Sequence, residues 1–162
     1  MSRPTVYVET SVIGYLLGRI HPDPVISGRQ AVTRQWWPIA QRENELLVSE
    51  LVMQECGAGD PVAAAERLEV LRGLRLLRTP KDAHALAQSF IAAFAVPATE
   101  PRDAAHIGIA ATSGVEFLVT WNFKHIANVV TRDAIEAVCC ESGYEAPTIC
   151  TPDELLGASG YA

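Results

Sequence analysis

No apolar run in this sequence approaches the roughly 20 residues that a bilayer-spanning helix needs, because Arg19, Glu45, Glu50 and similar charges interrupt every candidate. No membrane role is expected. The chain passes from Met1-Ser2-Arg3-Pro4 straight into a strand-like segment, without the apolar stretch and small-residue cleavage site of a secretory signal, so the expected location is cytoplasmic. Cysteine is scarce. Cys56, Cys139, Cys140 and Cys150 form no Cys-x-x-Cys pair and lack the spacing of a zinc site, which points to reduced and mostly buried thiols. Basic residues are outnumbered, 13 against 19 acidic ones, for a net charge of −6. That balance counts against indiscriminate phosphate binding, although carboxylates gathered at a metal site are neutralised once a cation binds. Internal repeats, low-complexity tracts and long linkers are absent.

What is present suits a soluble globular chain of 162 residues, with 49% hydrophobic and 20% charged residues, and one domain over residues 1–162 with its own core is expected. Thr5-Val6-Tyr7-Val8 is a β-branched and aromatic run that stops at Glu9-Thr10-Ser11, where capping residues open an apolar helix. Asp23-Pro24 reads as an N-cap with proline at the first helical position, starting a helix through Trp36 and Trp37 towards Arg42. Leu46-Leu47-Val48 reads as a second strand, and Ser49 caps a helix that Gly57-Ala58-Gly59 ends. Asp60-Pro61 starts another helix, which hands over at Gly73 to a strand at Leu74–Leu77. A helix from Thr79-Pro80 to about Phe94, one from Arg102 to Thr112, a strand at Glu116–Thr120, a helix from Thr131 to Ser142 and a strand at Thr148–Cys150 complete the pattern. Such alternation favours a parallel sheet with helices on both faces.

Open parallel sheets bind ligands beyond the carboxyl ends of their strands, at the switch in strand order. The architecture allows Glu9, Glu55, Asp103 and Asn122 to meet at that edge, three carboxylates and an amide oxygen from distant parts of the chain. Oxygen donors of this kind suit Mg²⁺ or Mn²⁺ rather than zinc. Thr10, Ser11 and Thr120 stand beside the acids and are expected to orient them. Lys124 follows Asn122 closely and is the expected contact to a substrate phosphate. His106, three residues after Asp103 on one helical face, reads as a packed, hydrogen-bonded histidine.

Val6-Tyr7-Val8-Glu9-Thr10-Ser11-Val12-Ile13 resembles the opening strand of PIN-domain nucleases, where Asp is followed by Thr and Ser between apolar residues. Ser49–Glu55 resembles the family's second acidic segment, Asp103–Ala110 its third motif, and Leu118–Phe123 its fourth. The likeness runs from about residue 5 to about residue 150, and the order of the four motifs makes it more specific than any one of them.

The resemblance implies a three-layer α/β/α sandwich with a central parallel sheet. It implies hydrolysis of RNA phosphodiester bonds with Mg²⁺ or Mn²⁺ held by Glu9, Glu55 and Asp103, with Asn122 as a fourth catalytic residue. It further implies a VapC-like toxin of a toxin–antitoxin pair, a cognate antitoxin as partner, and a homodimer. Two positions depart from the usual pattern. Glu9 replaces the commoner aspartate and extends its carboxylate by roughly 1.5 Å, and Asn122 stands where a fourth aspartate is frequent. One cation rather than two is therefore expected. A catalytically weakened PIN-fold module binding RNA or protein is the alternative, and a phosphohydrolase is disfavoured because the first strand lacks an Asp-x-Asp signature.

Overall fold

The computed structural model describes residues 2–158, so residues 1 and 159–162 of the expected 1–162 span lie outside the described residues. In chain order the elements are β1 (Thr5–Val8), α1 (Thr10–Leu16), α2 (Pro24–Glu43), β2 (Glu45–Ser49), α3 (Glu50–Cys56), α4 (Pro61–Leu71), β3 (Arg75–Leu77), α5 (Ala83–Ala92), α6 (Pro101–Thr112), β4 (Phe117–Val119), α7 (Arg132–Glu141), β5 (Thr148–Cys150) and α8 (Pro152–Ala158).

The strands form one sheet in the order β3-β2-β1-β4-β5, and every pairing is parallel. A parallel sheet covered on both faces must be apolar on both faces. The strands comply: Val6, Tyr7, Val8, Leu118 and Val119 are fully buried, and Leu46, Leu47 and Val48 nearly so. Helix α5 packs on α6 and α7, while α2 packs on α1 and α8. The result is the expected three-layer α/β/α arrangement.

Local sequence explains most of the boundaries. The Asp23 carboxylate accepts from Val25 N–H, and Pro24 occupies a position where a missing N–H costs nothing. Ser49 Oγ accepts from Val52 N–H at the start of α3, and Asp60 from Ala63 N–H at the start of α4. Trp36 and Trp37 are core residues. Cys56, Cys139 and Cys150 are free buried thiols, and Cys140 is free and exposed.

Three details differ from the sequence reading. Helix α5 begins at Ala83, not at Thr79-Pro80, because a turn in which Ala83 N–H donates to the Pro80 carbonyl precedes it. Asp82 makes no side-chain cap bond, and its carboxylate accepts from the Tyr144 hydroxyl. The same helix ends before Phe94, which adopts a left-handed φ of 59° while Ala95 N–H closes back on the Phe90 carbonyl, a helix-ending device that usually employs glycine. A short helix, α8, follows the last strand.

Strand order reverses at β1, whose neighbours are β2 and β4. Val8 pairs with Val119 in register, and the next residue, Glu9, donates its backbone N–H to the Val119 carbonyl at 3.1 Å. Glu9 and Thr120 thus leave the sheet side by side, at the point where this class of sheet opens a crevice.

Candidate active site

Glu9 is 6% exposed, and its carboxylate is tied down on three sides. One oxygen accepts from Ser11 N–H at 2.9 Å, and the other accepts from Ser11 Oγ at 2.5 Å and Thr120 Oγ1 at 2.6 Å. A carboxylate offers about four lone-pair sites, so roughly one remains for a ligand. Glu9 also serves as the N-cap of α1, which fixes the direction of its side chain.

Glu55 is reached by a buried chain of polar groups. Val52 N–H donates to Ser49 Oγ, Ser49 Oγ lies 2.7 Å from Tyr7 Oη, Tyr7 Oη lies 2.8 Å from His106 Nδ1, and His106 Nε2 lies 2.6 Å from Glu55 Oε1. With the proton on Nε2, the imidazole donates to the carboxylate. Thr10 Oγ1 donates to the same oxygen at 2.7 Å. His106 is 1% exposed, the packed and hydrogen-bonded histidine expected of it.

Burial pushes the Glu55 carboxyl up, but the hydrogen bond and charge of His106, the Thr10 hydroxyl and the charge of Arg102 outweigh it and hold the group below its ordinary value. Burial pushes the Tyr7 hydroxyl well up, against the opposing Ser49 hydrogen bond and with help from the charges of Glu9 and Glu55, so Tyr7 keeps its proton. Burial raises the neighbouring Cys56 thiol to about 11, which makes it a neutral packing group rather than a nucleophile.

The depressed Glu55 carboxyl couples stability to pH. A carboxyl with a lowered folded value contributes stability above its unfolded value near 4.5, and that contribution is lost as pH falls through the folded value. In chelator, the stability difference between the wild type and Glu55→Gln should therefore be constant at neutral pH and shrink below about pH 4.5. Paired urea titrations at successive pH values check this, and a difference that grows on acidification would refute it.

Asp103 sits in the first turn of α6, one turn before His106. His125 Nδ1 lies 2.9 Å from Asp103 Oδ2, so Glu55 and Asp103 are each oriented by an imidazole. The second oxygen of each, Glu55 Oε2 and Asp103 Oδ1, accepts no hydrogen bond among the described residues. Glu100, at the N-cap of α6, joins Asp103 and His125 in a group whose ligand atoms all lie within 4.8 Å of one another. Among the described residues this is the group of three or more acids, histidines or cysteines that draws so close. Glu9 and Glu55 stand outside it.

Asn122 uses its side-chain oxygen on His125 N–H at 3.0 Å and its backbone N–H on Thr120 Oγ1 at 2.9 Å. It closes the turn that carries His125. Thr10, Ser11 and Thr120 each bond a carboxylate, and Lys124 is exposed without an ion-pair partner among the described residues. Sequence reasoning did not single out Glu100, His125 as a partner of Asp103, or the Tyr7–His106 support of Glu55. The last had a signal: a tyrosine in the middle of a central parallel strand must be buried, and a buried hydroxyl needs a partner.

No described helix is long and apolar enough to cross a membrane. No family model matches the chain, and no curated protein matches it in sequence. Among solved structures it is similar to a chain in the crystal structure of VapBC2 from Rickettsia felis bound to a DNA fragment from their promoter, with 12% identity, a TM-score of 0.60, and coverage of 91% of this chain and 98% of that one. At that identity the likeness is one of fold, and the fold is the PIN-like α/β/α sandwich expected from the motifs.

Proposed function

We propose that the chain is a single PIN-like domain acting as a metal-dependent endoribonuclease, with Glu9, Glu55 and Asp103 as the acidic residues that hold Mg²⁺ or Mn²⁺. The observation that carries this reading is the pair of imidazole-oriented carboxylates, each with one oxygen left unbonded, at the crevice where strand order reverses. The donor set fits such an ion. Mg²⁺ is commonly held by one or two carboxylates together with waters and substrate phosphate, and hydrogen bonds to the ligating carboxylates are the usual support. The group of Glu100, Asp103 and His125 supplies further donors beside Asp103.

When bound, the cation supplies Lewis-acid activation of water and neutralises charge on the phosphoryl oxygens. The protein's own part is to position. His106 and Thr10 hold Glu55, His125 holds Asp103, and Ser11 and Thr120 hold Glu9. Lys124 would meet a backbone phosphate, and Asn122 acts by setting the turn that carries His125. Hydrolysis would leave a 5′-phosphate and a 3′-hydroxyl. The similarity to a VapBC2 structure supports a toxin role with a cognate antitoxin as partner; a homodimer and a cytoplasmic site of action belong to the same proposal.

One observation favours the alternative of a weakened binding module: most of the Glu9 carboxylate's capacity is spent on Ser11 and Thr120. A single assay separates the two. Purified protein incubated with structured RNA should cleave it with Mg²⁺ or Mn²⁺ and stop when EDTA is added, with end-group analysis giving the 5′-phosphate. RNA that binds and stays intact under every metal tested establishes the module instead.

A further inference from the structure

The segment leaving β4, Trp121-Asn122-Phe123-Lys124, does more than carry Asn122 and Lys124. Trp121 is buried and fixed at two points: its indole N–H donates to Thr33 Oγ1 at 2.8 Å, and its backbone N–H donates to Ser11 Oγ at 2.9 Å. That same Ser11 hydroxyl donates to the Glu9 carboxylate. Tyr15 meets the indole edge-on, with centroids 5.9 Å apart, and Phe123 lies tilted to it by 58° with centroids 6.1 Å apart.

Phe123, unlike Trp121, is 44% exposed. The Arg29 guanidinium carbon lies 4.8 Å from its ring centroid and 5.7 Å from that of Trp121. Arg29 has no carboxylate partner among the described residues. In a chain of net charge −6, a guanidinium without a carboxylate partner among the described residues and an exposed benzene ring stand together, the ring on the segment that Trp121 N–H ties through Ser11 to Glu9.

Aromatic rings and guanidinium planes are the groups on which proteins stack unpaired bases, and such stacking tolerates any base because each has a π-face. A base inside a duplex has both faces covered by its neighbours. We propose that Phe123 and Arg29 form a stacking platform for one unpaired nucleobase of RNA next to the bond to be cut. This rests on the nuclease reading and names two residues, outside the acidic site, that would hold its substrate.

The test uses the full chain carrying Asp103→Asn, with Mg²⁺ present, so that cleavage does not obscure binding. A labelled single-stranded RNA oligonucleotide containing 2-aminopurine is titrated by anisotropy and by 2-aminopurine quenching, alone and annealed to its complement. The parent should bind the single strand at least roughly tenfold more tightly than the duplex and quench the probe. Phe123→Leu, which keeps an apolar side chain, should weaken single-strand binding roughly tenfold or more and lose the quenching; Phe123→Tyr should restore both. Arg29→Ala should weaken binding as well.

Single-strand binding by Phe123→Leu equal to the parent's, or equal affinity for the two RNA forms, overturns the platform. If wild-type protein meanwhile cleaves RNA in a metal-dependent way, the nuclease reading survives that loss. Absence of both RNA binding and metal-dependent cleavage removes the two together.

Discussion

Asp103→Asn should lower metal-dependent RNA cleavage by roughly a hundredfold or more and shift the melting temperature by no more than about 4 °C. The substitution is nearly isosteric, so the space at the start of α6 stays filled. It removes the charge that a cation would meet, and it places an amide opposite His125 Nδ1, now at 2.9 Å from a carboxylate oxygen. The main structural cost is the loss of an acid from the first turn of α6, an interaction worth about 0.3–1 kcal/mol at a helix start. Asp133 offers the matching control, since it is also an acid in the first turn of its helix, α7, without a place in the site. Asp133→Asn should lose a similar fraction of stability and none of the activity. Initial cleavage rates and thermal melts of the two purified variants check both halves, and a fully active Asp103→Asn protein would remove Asp103 from the proposed machinery.

Much of the fold can be read from local rules because the chain obeys them. Near-continuous apolar runs such as Val6-Tyr7-Val8 and Leu46-Leu47-Val48 are what a doubly covered parallel strand requires. Asp23-Pro24 and Asp60-Pro61 cap helices by the mechanism their sequence suggests. The misplaced boundaries are harder to read. Thr79-Pro80 has the form of a helix start, yet a turn closed by Ala83 N–H on the Pro80 carbonyl comes first, and Asp82, an adequate cap by type, gives its carboxylate to Tyr144. Phe94 gives no hint of a left-handed conformation, since a bulky side chain rarely adopts one. Helix α8 is a different case, because Thr151-Pro152-Asp153-Glu154 has the form of a capping box with proline at the first turn, and Glu154 indeed accepts from Thr151 N–H.

The site is less legible than the fold. Motif order leads one to expect Glu9, Glu55, Asp103 and Asn122 at one edge of the sheet, but it says nothing about what each side chain bonds. Asn122 illustrates the limit: its type suggests a ligand or a turn residue equally, and only the 3.0 Å bond to His125 N–H shows the turn. His125 gains its place beside Asp103 through that turn, a contact across 22 positions that no local pattern encodes. The hydroxyls were easier. Thr10, Ser11 and Thr120 flank the acids in sequence, and short side chains beside a carboxylate at a strand end have few other partners.

Gly108→Ala should destabilise the protein by roughly 1–3 kcal/mol, lowering the melting temperature by several degrees at about 2–4 °C per kcal/mol. The sign is what makes this informative, because alanine for glycine inside a helix ordinarily stabilises by about 0.5–1 kcal/mol. Here α6 crosses α5 so closely that an added Cβ would lie 2.7 Å from the Ala83 carbonyl oxygen and 3.3 Å from the Ala87 nitrogen. Both obstacles are backbone, so relief requires the helices to part. Gly14, inside α1, has nothing within 4 Å of the same added atom, and Gly14→Ala should move stability the other way. Because Asp103 and His106 ride on α6, the displacement forced at Gly108 also disturbs their bonds to His125 and Glu55. Cleavage by Gly108→Ala should therefore fall below that of the wild type even at temperatures where both are fully folded, whereas Gly14→Ala should melt higher. Equal stabilisation by the two alanines would show that α5 and α6 do not approach as described.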